Sequence, residues 1–218
     1  MRVLGLDEAG RGAVLGPLVV AGVLLDVSKM SKLAEIGVRD SKELTSSRRE
    51  ALAAEILEIA EYIAVLQAPP QTLDSEMSLH SLNVLEARLF AMVIDALKPD
   101  KAIVDSPDED VRRFTSYIYQ FSHYKPPIIA ENKADDKYPL VGAASIIAKV
   151  TRDQMIKRLS LKYGEIGSGY SSDPATRDFL ERWIEENNTL PPIARRKWKT
   201  SQDMLTKVRQ SRLELSDY

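Results

Sequence analysis

Asp7 and Glu8 stand side by side at the end of an apolar run that opens almost at the N-terminus, and Gly10, Arg11 and Gly12 follow at once. Two carboxylates crowded together repel unless a cation is held between them. The glycines flanking the arginine leave backbone amides open to close approach by a ligand. The pattern returns twice. A short apolar run at 101–104 ends in Asp105, and Ile128-Ile129-Ala130 leads into a charged stretch that contains Asp135 and Asp136. In open α/β sheets the carboxyl ends of strands gather along one edge, where ligand sites form. Carboxylates from such ends are suited to holding two divalent ions. Metal ions roughly 3.5–4 Å apart orient water for attack on a phosphodiester and stabilise the leaving oxygen, with no need of histidine or cysteine.

The composition suits that chemistry. With Cys 0 and His 2, the chain has no thiolate ligand, disulfide or cysteine nucleophile, and little room for zinc or histidine catalysis. Oxygen ligands favour magnesium or manganese. Each acid taken alone also has a plainer reading. Asp7 and Glu8 fit a strand that surfaces into water, Asp105 precedes Ser106-Pro107 where Asp is a common turn former, and Asp135-Asp136 between Lys133 and Lys137 fit a solvated charged loop. The recurrence outweighs these separate accounts.

The elements that must position the acids can be read from periodicity and breakers. A second strand is expected over 14–25, paired as a hairpin with the first, although Gly16-Pro17 interrupts it. Ser47 with Glu50 forms a capping box for a helix to about Ala60, and a strand over 62–66 is closed by Pro69-Pro70. Leu82, Leu85, Leu89 and Val93 give a helix that stops before Pro99, and a further helix follows over 109–121. A long helix over 141–163 opens with the small residues Gly142, Ala143, Ala144 and Ser145, which allow close packing. Lys149, Arg152, Lys157, Arg158 and Lys162 on its later turns, with Arg195 to Lys199, read equally as a face for a duplex backbone or as a solvated helix face plus a basic linker. Helices alone are expected after about residue 165, one from Pro174 through Trp183 and a last one from Ser201. Strands followed by strand–helix units indicate a mixed sheet flanked by helices.

A chain of 218 residues with net charge −2 can bury a full core, and it does not bind nucleic acid by bulk positive charge. No run reaches the ~18 apolar residues of a membrane helix, and no basic-then-apolar leader precedes the first strand, so the cytoplasm is the expected compartment.

Asp7-Glu8-Ala9-Gly10-Arg11-Gly12 with Gly16-Pro17-Leu18-Val19 closely resembles the N-terminal signature of the type 2 ribonucleases H, the ribonuclease HII family, of archaeal-like type. Further matches follow in order: Asp40-Ser41-Lys42 with Leu44, Val104-Asp105, Lys133-Ala134-Asp135, Ala143-Ala144-Ser145-Ile146 with Ala148-Lys149-Val150, Gly167-Ser168-Gly169-Tyr170, and Trp198-Lys199-Thr200. Ala13 departs from the pattern, where proline is frequent.

The resemblance implies an α/β, ribonuclease H-like fold: a five-stranded mixed sheet flanked by helices, with a catalytic domain over 1–165 and a C-terminal helical extension over 166–218 on or near the substrate-binding side. It implies Asp7, Glu8, Asp105 and Asp135 as catalytic metal ligands for two Mg2+ or Mn2+ ions. Asp136 is then only a neighbour. It implies that the enzyme cleaves RNA in RNA·DNA hybrids and cuts 5′ of single ribonucleotides embedded in duplex DNA, leaving 3′-hydroxyl and 5′-phosphate ends, in ribonucleotide removal and primer processing. Gly10, Arg11 and Gly12 would read the 2′-hydroxyl side of the scissile ribonucleotide, and Tyr170 would stack at the following deoxynucleotide. Lys42 is a candidate phosphate contact. A monomer without an obligate protein partner is expected. Gln202 and Leu205 are spaced like the start of a sliding-clamp peptide, but Val208-Arg209 stand where that motif wants aromatics, so clamp binding is not expected from them.

Overall fold

The structure is a computed structural model that describes residues 1–38 and 44–216, with side chains described to residue 210. The described chain forms two compact units, each assembled from three stretches. The first gathers Met1–Ala9, Val19–Gln67 and His80–Thr151, and the second Gly10–Leu18, Ala68–Leu79 and Arg152–Tyr218.

In chain order the elements are β1 (Arg2–Ala9), β2 (Leu18–Asp26), α1 (Met30–Glu35), α2 (Ser46–Ile59), β3 (Tyr62–Ala68), α3 (Pro70–Glu76), α4 (Leu82–Leu97), β4 (Lys101–Asp105), α5 (Val111–Phe121), β5 (Ile128–Glu131), α6 (Ala134–Lys137), α7 (Pro139–Tyr163), α8 (Pro174–Asn187) and α9 (Lys199–Ser216). The first unit is built on a five-stranded sheet of order β3-β2-β1-β4-β5. β1 pairs antiparallel with β2, as the hairpin reading expects, and parallel with β4, which is parallel to β5. The sheet is therefore mixed. Val3, Leu4 and Leu6 of β1 are all buried, which is why that strand reads as a continuous apolar run and not as an alternation.

Three of the boundaries that differ from the sequence reading do so for a local reason. β2 starts only at Leu18, because Gly16 takes a positive φ of 77° and Pro17 follows it. The cap of α2 is Thr45, whose Oγ1 accepts from Arg48 N at 3.3 Å, so the Ser47–Glu50 pair lies inside the helix. Pro69-Pro70 does more than close β3: Pro70 sits at the first position of α3, where its missing N–H costs nothing.

α4 and α5 pack through an edge-to-face pair, Phe90 and Phe114, with centroids 5.6 Å apart. The entry to α5 is pinned by the buried Asp108. Its carboxylate accepts from Arg113 Nε at 2.9 Å, Arg113 Nη2 at 2.5 Å, Asn83 Nδ2 at 2.9 Å and Asp110 N at 3.0 Å. The arginine bonds, helped by Asn83 and the Asp110 amide, hold its pKa down to about 2. A carboxyl with a depressed native pKa stabilises the fold fully above its unfolded value near ~4, and that contribution is lost as pH falls through ~2. Asp108→Ala is expected to cost about 2–3 kcal/mol at pH 7, with the gap from the parent chain closing at acid pH in denaturant titrations. An unchanged gap at low pH would contradict this account.

In the second unit, Val14, Leu15, Ile156, Ile166, Phe179, Leu180 and Ile184 form a core against which Trp183, Trp198, Met204, Leu205 and Val208 are partly buried. α8 and α9 contribute to it. Among the described residues no helix is long and apolar enough to cross a membrane.

Candidate active site

The parallel ladder of β1 with β4 runs from Val3↔Lys101 to Leu6↔Val104 and stops there. Asp7 and Asp105 are the next residues on each strand. They are thus delivered at the point where two central strands part, with Glu8 one residue further along β1. β1 does not end at the acids: Asp7↔Ala21 and Glu8↔Val20 are still paired with β2.

Asp7 is only 4% exposed. Its carboxyl is pushed well above the ordinary carboxylate range, first by burial and then by the neighbouring charges of Glu8 and Asp105. Two donors pull the other way: the Ser145 hydroxyl, and the Glu8 amide, which reaches Asp7 Oδ1 at 2.7 Å. Ser145 on α7 is fully buried and also accepts from Lys149 Nζ at 2.8 Å, one turn further along the helix. The small residues at the start of α7 allow that approach. A Cβ on Gly142 would lie 2.8 Å from the Val38 carbonyl oxygen and 3.2 Å from that of Asp135.

Asp105 Oδ1 accepts from Ala134 N at 2.7 Å and so ties the end of β4 to the residue preceding Asp135. Asp135 lies on the short helix α6 and is buried at 5% exposure, whereas Asp136 is exposed.

Among the described residues no three acidic or histidine side chains close on one point as a finished metal cage. The donor set nevertheless fits a hard divalent ion. It is made of oxygen, it crowds like charges at strand ends, and magnesium binds through one or two carboxylates completed by waters and substrate phosphates.

The residues that follow the acids belong to the second unit. Gly10 has φ +88°, and a Cβ there would run into the Arg152 side chain and lie 2.8 Å from the Pro17 carbonyl oxygen. Gly12 is the opposite case: it is exposed, and a Cβ there would meet no described residue within 4 Å. The turn closes with Ala13 N donating to Gly10 O at 3.2 Å, and Val14 N and Leu15 N both donate to Gly169 O at 2.8 and 3.0 Å. The loop at 10–16 is thereby joined to the loop that carries Tyr170.

Arg152, 2% exposed, reinforces that junction. Its Nη2 donates to Leu15 O at 3.3 Å and Ser168 O at 3.2 Å, and its guanidinium lies 4.6 Å over the Tyr170 ring. The aromatic is half-buried and backed on one face by a cation.

The basic positions divide. Arg152 and Arg195 are buried and hold protein carbonyls, which corrects the expectation that they face a duplex backbone. The periodic position of Arg152 on a helix and the run around Arg195 carry no signal that distinguishes a buried guanidinium from a solvated one. Trp198 packs on the second unit's core, with Arg195 4.8 Å over its ring. Leu205 and Val208 of α9 pack there as well. Lys42, with Asp40 and Ser41, lies outside the described residues.

The Ribonuclease HII family profile matches residues 4–201. The chain belongs to the ribonuclease HII family. It is an enzyme, a type 2 ribonuclease H, that hydrolyses phosphodiester bonds as an endonuclease. The Ribonuclease HII of Pyrococcus horikoshii is 45% identical over 220 residues, which cover 100% of this chain and 99% of the relative. The crystal structure of the ribonuclease H2 from Pyrococcus horikoshii OT3 matches with a TM-score of 0.89 over 96% of this chain and 99% of its own. The ribonuclease HII of Archaeoglobus fulgidus, solved in its complex with PCNA, is 45% identical with a TM-score of 0.85, covering 91% of this chain and 96% of that one. Bst-RNase HIII in complex with Mn2+ is 23% identical with a TM-score of 0.81 over 96% of this chain and 71% of its own, a likeness of fold. The ribonuclease H-like fold expected from the sequence is thus the observed one.

Proposed function

We propose that this ribonuclease HII cleaves the RNA strand of RNA·DNA hybrids and cuts on the 5′ side of single ribonucleotides embedded in duplex DNA, leaving 3′-hydroxyl and 5′-phosphate ends. The observation that carries the reading is the crowding of Asp7, Glu8 and Asp105 where β1 and β4 part, in a chain of this family. Asp7, Glu8, Asp105 and Asp135 are the proposed catalytic ligands for two Mg2+ or Mn2+ ions. When bound, such a pair lowers the pKa of a water and neutralises charge on the leaving oxygen.

The protein's own groups do the rest. Asp7 and Asp105 set the spacing of the carboxylates, because both are fixed by backbone amides, Glu8 N at 2.7 Å and Ala134 N at 2.7 Å. Ser145, which accepts from Lys149, donates to Asp7 from the helix side. The Gly10, Arg11 and Gly12 backbone reads the 2′-hydroxyl, the group that tells RNA from DNA. Tyr170 stacks at the following deoxynucleotide, in the region 166–218 that we assign to substrate contact beyond the catalytic domain over 1–165. Lys42 contacts a phosphate.

The proposed partners are the RNA·DNA hybrid and ribonucleotide-containing duplex DNA, with a cytoplasmic monomer acting in ribonucleotide removal and primer processing. Clamp docking through Gln202 and Leu205 is at most weak, because Leu205 packs against the core.

The test is a substrate split. Tyr170→Ala is expected to slow cutting at a single embedded ribonucleotide by about tenfold or more, the scale of a lost stacking contact of ~1–3 kcal/mol, and to slow hybrid cutting less. Equal losses on both substrates would count against the stacking role, and no magnesium-dependent cutting by the parent chain would overturn the reading.

A further inference from the structure

The segment around Arg195 lies far along the chain from the loop at 10–16, yet the two are bonded along their length. Gly16 N donates to Ile193 O at 2.9 Å, Arg195 N donates to Val14 O at 2.9 Å, and Leu15 forms a β-bridge with Ala194. The Arg195 side chain extends this zip toward the turn. Its Nε donates to Gly16 O at 3.0 Å and its Nη1 to Arg11 O at 3.1 Å, so one guanidinium spans the carbonyls at both ends of the loop.

The side chain is fully buried. A charge taken out of water is costly unless hydrogen bonds and polarisable faces replace the solvent, and here loop carbonyls and the Trp198 ring do so. A planar fork with separated donors can bridge two carbonyls at once. A lysine carries its three donors on one nitrogen and so cannot reproduce the fixed separation of Nε and Nη1 that meets these two carbonyls. Arg11 O, which Arg195 holds, belongs to the peptide that joins Arg11 to Gly12. The orientation of that peptide fixes where the Gly12 amide points, at a position where no described residue lies within 4 Å of an added Cβ.

We infer that Arg195 is a positioning residue for ribose reading: it sets the Arg11–Gly12 peptide in the orientation that meets the 2′-hydroxyl. The inference rests on the proposed reading role of Gly10, Arg11 and Gly12. It assigns part of the enzyme's preference for ribonucleotides to the tail of the chain, and it separates Arg195 from Arg152. Arg152 backs Tyr170, so its loss acts on stacking, whereas loss of Arg195 acts on the ribose.

The experiment compares the parent chain, Arg195→Lys and Arg195→Gln on duplexes carrying one ribonucleotide or one 2′-fluoro nucleotide at the same position, with active molecules counted by Mn2+ binding. For Arg195→Lys, kcat on the ribonucleotide is expected to fall about tenfold or more, the scale of a small displacement at the reacting centre, with KM moving much less. The parent's preference for ribonucleotide over the 2′-fluoro group should shrink with it, while Mn2+ affinity stays unchanged. If Arg195→Gln fails to fold, Arg195→Lys alone decides. An unchanged rate and preference per folded molecule would overturn the inference and leave the reading role standing. A parent chain that cuts both duplexes equally would overturn the reading role, and the inference with it.

Discussion

Asp7→Asn is expected to lower cleavage by about 10³-fold or more while leaving substrate binding largely intact and raising the stability of the metal-free protein at neutral pH. The two effects have one cause. Asp7 is buried beside Glu8 and Asp105, and its pKa is raised in the folded protein. A carboxyl with a raised native pKa binds its proton more tightly folded than unfolded, so stability falls as pH climbs above the unfolded value near ~4. At neutral pH the unfavourable ionisation of this buried carboxyl therefore counts against the metal-free fold, and the neutral amide relieves that cost. Thermal unfolding in EDTA should show the variant melting above the parent at pH 7, by roughly 2–4 °C for each kcal/mol relieved, with the difference closing near pH 4. The same substitution removes the carboxylate at the centre of the proposed metal set. A variant that instead fails to fold would move Asp7 to a structural role.

Gly10→Ala and Gly12→Ala are expected to fail in opposite ways, and the contrast is the second large effect. At Gly10 a Cβ meets a positive φ of 88°, the Arg152 side chain and the Pro17 carbonyl oxygen, so the substitution should destabilise the protein by about 1–3 kcal/mol. At Gly12 the same methyl meets no described residue, and stability should stay within about 0.5 kcal/mol. Cleavage by Gly12→Ala should nevertheless fall by about 10²-fold, because a methyl at the point of ribose contact displaces the substrate by the order of an ångström. Melting curves beside single-turnover rates separate the two. A Gly12→Ala enzyme of full activity would show that this position does not receive substrate.

The acids and the central strands were legible in the chain because both follow from short-range rules. A continuous apolar run marks β1 as buried on both faces, and a carboxylate at the end of such a run is costly enough to stand out. The glycine at 142 was legible as a point of close packing for a similar reason. Boundaries set by single turns were less so: Gly16-Pro17 delays β2, and Pro70 opens a helix where it also fits a strand end. What the pattern could not carry was burial of long polar side chains. Arg152 and Arg195 look like members of solvated basic runs, and only the tertiary arrangement shows their donors spent on Leu15, Ser168, Gly16 and Arg11 carbonyls. Those two arginines shape the loops that the family resemblance singles out, although neither stands out as a loop-shaping residue in the sequence.

The most direct test of the central claim is to incubate the protein with a labelled DNA duplex containing one ribonucleotide, with and without magnesium, beside an all-DNA control, and to map the cut. A magnesium-dependent incision on the 5′ side of the ribonucleotide is expected, with a 3′-hydroxyl and 5′-phosphate at the new ends and an intact control. Tight binding with no incision, or equal incision of the all-DNA duplex, would contradict that claim.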